Sequence, residues 1–347
     1  MFLSFFLKSF CFFMLPEKQI KFQLAPLQGI TNSVFRKVYA RHFIGIDKFF
    51  TPFFTNVHKK ELNPAKAAEL TAVKINNITL VPQILSKDSA EILRFANYVK
   101  ILGFKEINWN LGCPFPRVAK KKRGSGLLPF PDDIRKILDV VMPELPVKLS
   151  VKARLGYENS NEILSLIPVF NDYNLKELTV HARIGKQLYK GNVMLDNFNK
   201  ILELSKIPVG YNGDIFSLAD FLYIKKRLPG IEIFMLGRGL LVDPFLPEIL
   251  FSNNNLINKD APALIKKFVD DLYFETRKKH NDRLSALNVL KEYWWYLSYS
   301  FENPSKVFGM IKKKKSFDDY EDAVNEVFKS YLWLGSSARL FKHRSEI

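Results

Sequence analysis

Cysteine is nearly absent: the 347 residues hold two, Cys11 and Cys113, in unrelated contexts. Neither a disulfide framework nor a thiolate zinc site is available, so no metal is expected and a reducing cytoplasmic setting fits best. Glycine and proline number only 16 and 18, which excludes fibrous and low-complexity classes. No Walker loop occurs, and no Gly-x-Gly-x-x-Gly follows a strand pattern, so neither an NTPase nor a Rossmann dinucleotide site is supported. No apolar run is long enough to span a bilayer. The Phe-rich segment 1–15 comes nearest, but it is too short and lacks a small-residue cleavage pattern. The expectation is an upstream start, with Met14 as the true beginning and no membrane association.

What is abundant is positive charge. Fifty-two Lys and Arg face 35 Asp and Glu, for a net +17, which favours a polyanionic partner, nucleic acid before an anionic membrane. With 47% hydrophobic and 25% charged residues the chain can bury a sizeable core. Its length suits one large domain and one smaller.

Eight short β-rich runs end in polar or Gly/Pro punctuation: residues 22–26, 48–53, 80–85, 106–113, 149–155, 177–183, 208–214 and 232–239. Helical patterns lie between most of them. In 132–145, Ile134, Ile137, Leu138 and Val141 share one face, two Asp occupy the dipole-positive start, and Pro143 and Pro146 are expected to close the helix. Asp88 and Glu91 resemble a capping pair opening the helix that Gly103 ends. Strands alternating with helices give a parallel sheet, and eight units match an α/β fold of the (β/α)8 TIM-barrel type better than a doubly wound sheet. After Pro244 the alternation gives way to a helical pattern. The expected organisation is an extension at 1–15, a barrel at 16–254 and a smaller all-α domain at 255–347. From Asp260 onward, 12 Lys and 4 Arg face 7 Asp and 6 Glu, so most of the excess charge sits in the barrel half.

In a barrel the C-terminal strand ends build the site. Those ends carry Gln28, Gln83, Asn110 with Cys113, Lys152 with Arg154, His181 with Arg183, Asn212 with Asp214, and Arg238 between Gly237 and Gly239. Single polar residues there are usually solvated, but their recurrence in unit after unit points to a site. Asn212-Gly213-Asp214 and Gly237-Arg238-Gly239 fall at the usual barrel location for a phosphate. Lys152 and Arg154 share one face of their strand. If that face is interior they need anionic company, which a flavin gathering negative charge on reduction would supply; an outward solvated pair or an internal salt bridge is the alternative. Cys113 lies between Gly112 and Pro114, with Arg117, Lys120, Lys121, Lys122 and Arg123 just beyond. A buried cysteine is commonly inert and a charge run commonly a solvated face. Together, and followed by a hinge-like Gly124-Ser125-Gly126, they suggest proton chemistry on a polyanion beside a moving loop.

The chain resembles the tRNA-dihydrouridine synthase family of FMN-dependent barrels. The likeness runs through Leu24-Ala25-Pro26-Leu27-Gln28-Gly29-Ile30-Thr31-Asn32, Pro82-Gln83, Asn110-Leu111-Gly112-Cys113-Pro114, Val151-Lys152-Ala153-Arg154, His181-Ala182-Arg183, Asn212-Gly213-Asp214 and Gly237-Arg238-Gly239. Leu27, where methionine is common, and Ile184, where threonine is frequent, depart from it. The resemblance implies an FMN site using Pro26, Leu27 and Gln28, with Gln83 and Lys152 on the isoalloxazine ring and His181 beside it. Asn212, Gly213, Asp214, Gly237 and Arg238 would hold the phosphate. Cys113 would be the proton donor and Asn110 a uracil contact, with the basic loop, Arg154 and Arg183 also toward substrate. It further implies reduction of FMN by NADPH, hydride transfer to C6 of a uridine in tRNA, a proton to C5, and a helical tRNA-binding domain. A monomer is expected. The rivals are a flavin enzyme of free pyrimidines, an RNA-binding protein without redox chemistry, and a peripheral membrane protein using the Phe-rich start.

Overall fold

The structure, a computed structural model, describes residues 20–57, 62, 64–70, 78–254 and 260–335. The segment 1–15, Met14 and Cys11 included, lies outside the described residues. The described residues form nine strands in chain order: β1 (Lys21–Leu24), β2 (Lys48–Phe50), β3 (Thr79–Val81), β4 (Gln83–Ile84), β5 (Glu106–Leu111), β6 (Lys148–Gly156), β7 (Leu178–Ile184), β8 (Val209–Asn212) and β9 (Ile233–Leu236). The sheet order is β3-β2-β1-β9-β8-β7-β6-β5-β4, and every ladder is parallel. Its two ends are one strand interrupted at Pro82, which has no N–H to give a ladder. The ring therefore closes as a barrel of eight units, and each expected strand run finds its counterpart. Phe54, just past β2, seals the join by bridging to Ile84.

Residues facing outward from the strands, such as Ile107, Trp109 and Leu111 on β5, are fully buried against the surrounding helices. The helix expected at 132–145 spans Pro131–Glu144 with Ile134, Ile137, Leu138 and Val141 buried. It runs through Pro143, which late in a helix costs only one bond, so Pro146 rather than Pro143 marks its limit. Asp88 caps Ser89–Ile101 by accepting from Ala90 and Glu91 N–H. Glu91 does not complete a capping box: its carboxylate is buried and accepts from Val57 N–H at 2.8 Å and Ser86 Oγ at 2.6 Å.

Beyond the barrel come helices Ala261–Lys279, Ser285–Leu297, Pro304–Lys312 and Phe317–Ser330. The last is set by its Ser316 cap, Asp318 and Asp319 in its first turn, and buried Tyr320, Ala323, Val324 and Val327 on one face. The first packs on Ser33–His42 of the barrel, where Phe268 meets Phe35, Tyr39 and Phe43 edge-on. Such ring pairs add about 0.5–1.5 kcal/mol each beyond area burial. His42 bonds Asp271 at 2.7 Å, and Tyr293 Oη donates to Ile30 O at 3.2 Å in the loop after β1, tying the helices to the barrel.

Candidate active site

Alternation along β5 to β8 turns Asn110, Lys152, Arg154, His181 and Asn212 toward the barrel axis at its C-terminal end. With Pro26, Leu27, Gln28, Cys113, Gly213, Asp214, Gly237 and Arg238 they line an open cavity of about 240 Å³. Lys152 Nζ donates to Asn212 Oδ1 at 3.1 Å, and Asn212 is oriented by its own donation to Met235 O at 2.8 Å. Burial, reinforced by the neighbouring Arg154, pushes the Lys152 ammonium down to about 7. Arg154 is pushed down to about 10, again mainly by burial. Burial first, then the surrounding cations, holds His181 well below the usual imidazole range, so it is neutral. Among the described residues Asp214 is the one carboxylate lining the cavity, and it bonds Arg183 at 2.9 and 2.5 Å and Arg238 at 3.0 Å. The cavity wall therefore carries more positive charge than it neutralises, the condition for holding an anion.

Cys113 sits in a turn fixed from both sides. Asn110 Oδ1 accepts from Gly112 and Cys113 N–H, while Cys113 O accepts from Ser125 N–H at 3.1 Å and Ser125 Oγ at 3.0 Å. Burial pushes the thiol up from its ordinary value against the pull of Phe115 N–H, Arg154, Lys152 and Arg117. It is thus protonated at neutral pH, and cations stand by to receive the charge when the proton leaves.

The glycines after the basic loop do not form the expected hinge. Gly124–Leu127 is a buried 3-10 turn. A Cβ on Gly124, at φ +57°, would come within 2.6 Å of Cys113 O, and one on Gly126 within 2.3 Å of Ala119 O. Close packing, not motion, requires them. Of the basic run, Lys122 stacks on Phe130 at 3.8 Å and pairs with Asp133, and Arg123 donates to Thr55 and Asn56. Arg117, Lys120 and Lys121 are exposed.

Two expected contacts differ from expectation. Gln83 does not line the cavity: it is fully buried and its carboxamide engages Asn108 and Asn110. Arg183 is also buried, bound to Asp214 and to the carbonyls of Lys190 and Gly191, so it braces the wall and does not face substrate space. The motifs missed Tyr189, whose ring lies 4.7 Å from the Arg238 guanidinium and 5.4 Å from that of Arg154, and Tyr296, which lines the cavity from the helical region. Neither stands at a strand end: Tyr189 follows the turn after β7, and Tyr296 lies in the helix Ser285–Leu297.

A closed parallel barrel with converging cations and a thiol at its C-terminal mouth defines a barrel enzyme built around an anionic ligand. The dihydrouridine synthase (Dus) family model matches residues 23–330, and the chain belongs to this family. It is 27% identical over 320 residues to a tRNA-dihydrouridine(16) synthase of Neisseria meningitidis serogroup B, covering 90% of this chain and 96% of the relative. It is 30% identical to tRNA-dihydrouridine synthase B of Pasteurella multocida, over 70% of this chain and 71% of the relative. Among solved structures, histamine dehydrogenase from Rhizobium sp. 4-9 superposes with a TM-score of 0.53 at 11% identity, over 73% of this chain and 48% of that one, a likeness of fold. Among the described residues no helix is long and apolar enough to cross a membrane, and no His, Cys, Asp and Glu cluster could hold a metal.

Proposed function

We propose that this chain converts uridines of tRNA to 5,6-dihydrouridine, with FMN as bound cofactor, NADPH as reductant and Cys113 as proton donor. The observation that carries the reading is the cavity's unbalanced charge beside a protonated thiol. A flavin mononucleotide fits those residues: its phosphate would meet Arg238, Gly237, Gly213 and Asn212, while Lys152 would face the ring edge where reduction places negative charge. Pro26, Leu27 and Gln28 would border the ring, with neutral His181 beside it. When bound, the flavin supplies the hydride that goes to C6 of the base. Cys113 Sγ gives its proton to C5, and Lys152, Arg154 and Arg117 stabilise the resulting thiolate until water reprotonates it. Asn110 holds the Cys113 turn, and its remaining N–H can meet an extruded uracil. Arg117, Lys120 and Lys121 grip backbone phosphates, aided by a helical unit from residue 255 onward that completes the barrel unit ending at 254. A monomer in the reducing cytoplasm suffices for this chemistry.

Nucleoside mass spectrometry of tRNA from cells with and without the gene tests the proposal. Dihydrouridine lost on deletion should return with the wild-type gene but not with Cys113→Ala, whose protein should still purify yellow. An unchanged dihydrouridine pattern in a strain lacking redundant enzymes, together with turnover of free uracil, would overturn it.

A further inference from the structure

Within the barrel, hydrogen bonds run on from the Cys113 turn in a direction the proposed reaction does not use. Asn110, whose Oδ1 holds the turn at 2.9 and 3.0 Å, donates from Nδ2 to Gln83 Oε1 at 2.7 Å. Gln83 Nε2 donates to Asn108 Oδ1 at 2.8 Å, and Asn108 Nδ2 to Ser150 Oγ at 3.0 Å. Ser150 Oγ donates to Glu106 Oε1 at 2.8 Å, with Ile107 O at 3.3 Å as its other acceptor. All five side chains are buried. Every donor points the same way, away from the Cys113 turn and, from Asn110 to Glu106, down β5 over roughly 13 Å at about 3.3 Å per residue.

A carboxamide fills the same space with its oxygen and nitrogen exchanged, so Asn110, Gln83 and Asn108 could each sit either way round. The far end demands one sense, because a carboxylate accepts and cannot donate, and the backbone N–H groups of Gly112 and Cys113 demand the same sense at the near end. Glu106 is held between Lys48 Nζ at 3.4 Å and Lys176 Nζ at 2.5 Å. Both acceptors in reach of Ser150 draw its proton away from Asn108, so its lone pair must face the Asn108 amide nitrogen. Each carboxamide above then follows in turn. Were Asn110 reversed, its NH2 would meet the N–H groups of Gly112 and Cys113 donor to donor, and the turn carrying the thiol would open.

We infer that Glu106, Ser150 and Asn108 are positioning residues for Cys113, the carboxylate at the foot of the barrel fixing three carboxamides and through them the turn that aims the thiol. The inference rests on the reading of Cys113 as proton donor.

The test uses the full chain in a Cys11→Ser background, leaving Cys113 as its sole thiol. Two readouts are taken: the iodoacetamide alkylation rate of Cys113 from pH 6 to 10, and turnover on tRNA. Lys152, Arg154 and Arg117, the cations facing the thiol, and Lys48, Lys176 and Glu177 at the far end are unchanged throughout. Ser150→Ala and Asn108→Leu should each move the alkylation rate about fivefold and lower turnover, the size expected of contacting residues in one hydrogen-bond network. Ser150→Thr keeps the hydroxyl that accepts from Asn108 and donates to Glu106, and should retain the wild-type profile. In an Asn110→Ala background the effect of Ser150→Ala should vanish. Wild-type alkylation and turnover in folded Ser150→Ala and Asn108→Leu would overturn the inference, as would effects that simply add to Asn110→Ala. If Cys113→Ala kept its turnover while Ser150→Ala still changed alkylation, the positioning would stand and the proton-donor reading would fall.

Discussion

The two ends of the barrel interior are built from the same residue types to opposite effect. At the foot, Lys48 and Lys176 meet Glu106 and Glu177 as near neighbours, with Gln23 and Thr179 also on the Glu177 carboxylate, so charge there is balanced within the protein. At the mouth, Lys152, Arg154, Arg183 and Arg238 converge, with neutral His181, around Asp214. A balanced buried network specifies a fold, whereas an unbalanced one costs stability until a ligand completes it. The imbalance, more than any single residue, locates the site.

Removing one charge at each end should break the comparison in opposite directions. The largest effect falls at the mouth: Lys152→Met should lower flavin retention and turnover by about 100-fold or more, while the flavin-free protein melts no lower than wild type. A flavin-loaded Lys152→Met protein with normal turnover would remove Lys152 from the site. Next, Gly124→Ala should cut turnover by about tenfold, since misplacing a reacting group by a fraction of an ångström is costly; the added Cβ would press on Cys113 O from a backbone that favours glycine. Normal turnover would show that the turn yields without moving the thiol. Third, Lys48→Met at the foot should destabilise by about 2–3 kcal/mol, because Glu177 loses its ion pair, and lower the melting temperature by about 3–4 °C. Flavin affinity should not change, and a colourless Lys48→Met protein would erase the distinction between the two ends.

A last effect sharpens the same point through pH. In the flavin-free folded chain Lys152 titrates near about 7, against 10.5 ordinarily. Between those values the unfolded chain binds the extra proton, so stability rises with pH. The deficit due to this lysine is complete below pH 7 and gone above 10.5. The melting-temperature gap between wild type and Lys152→Met should therefore close as pH is raised, and a constant gap would contradict a lysine buried without compensation.

Most of this barrel is legible in the chain because seven of its eight strand units end in polar residues that a packed strand would not tolerate. Lys152 and Arg154 on one face of an apolar strand, and the Asn-x-Gly-Cys-Pro turn, announce the mouth directly. What escapes is pairing in three dimensions. Nothing local shows that Pro82 splits a strand at the closure, that Asp214 already occupies Arg183, or that Gln83 turns toward Asn108. Gly124-Ser125-Gly126 has the composition of a hinge, and only the approach of Cys113 O reveals a wedge. Tyr296 belongs to a helix whose apolar pattern reads as core, so its place in the cavity wall depends on how that helix docks.

Tyr296 also bears on modularity. The helical region supplies part of the cavity wall and, through Tyr293, bonds to Asn32 and Ile30 near its rim. It is therefore not an exchangeable grip. A chimaera joining this barrel to the helices of a relative would inherit a differently shaped cofactor chamber, and changes selected for holding another RNA surface would be felt at the redox centre.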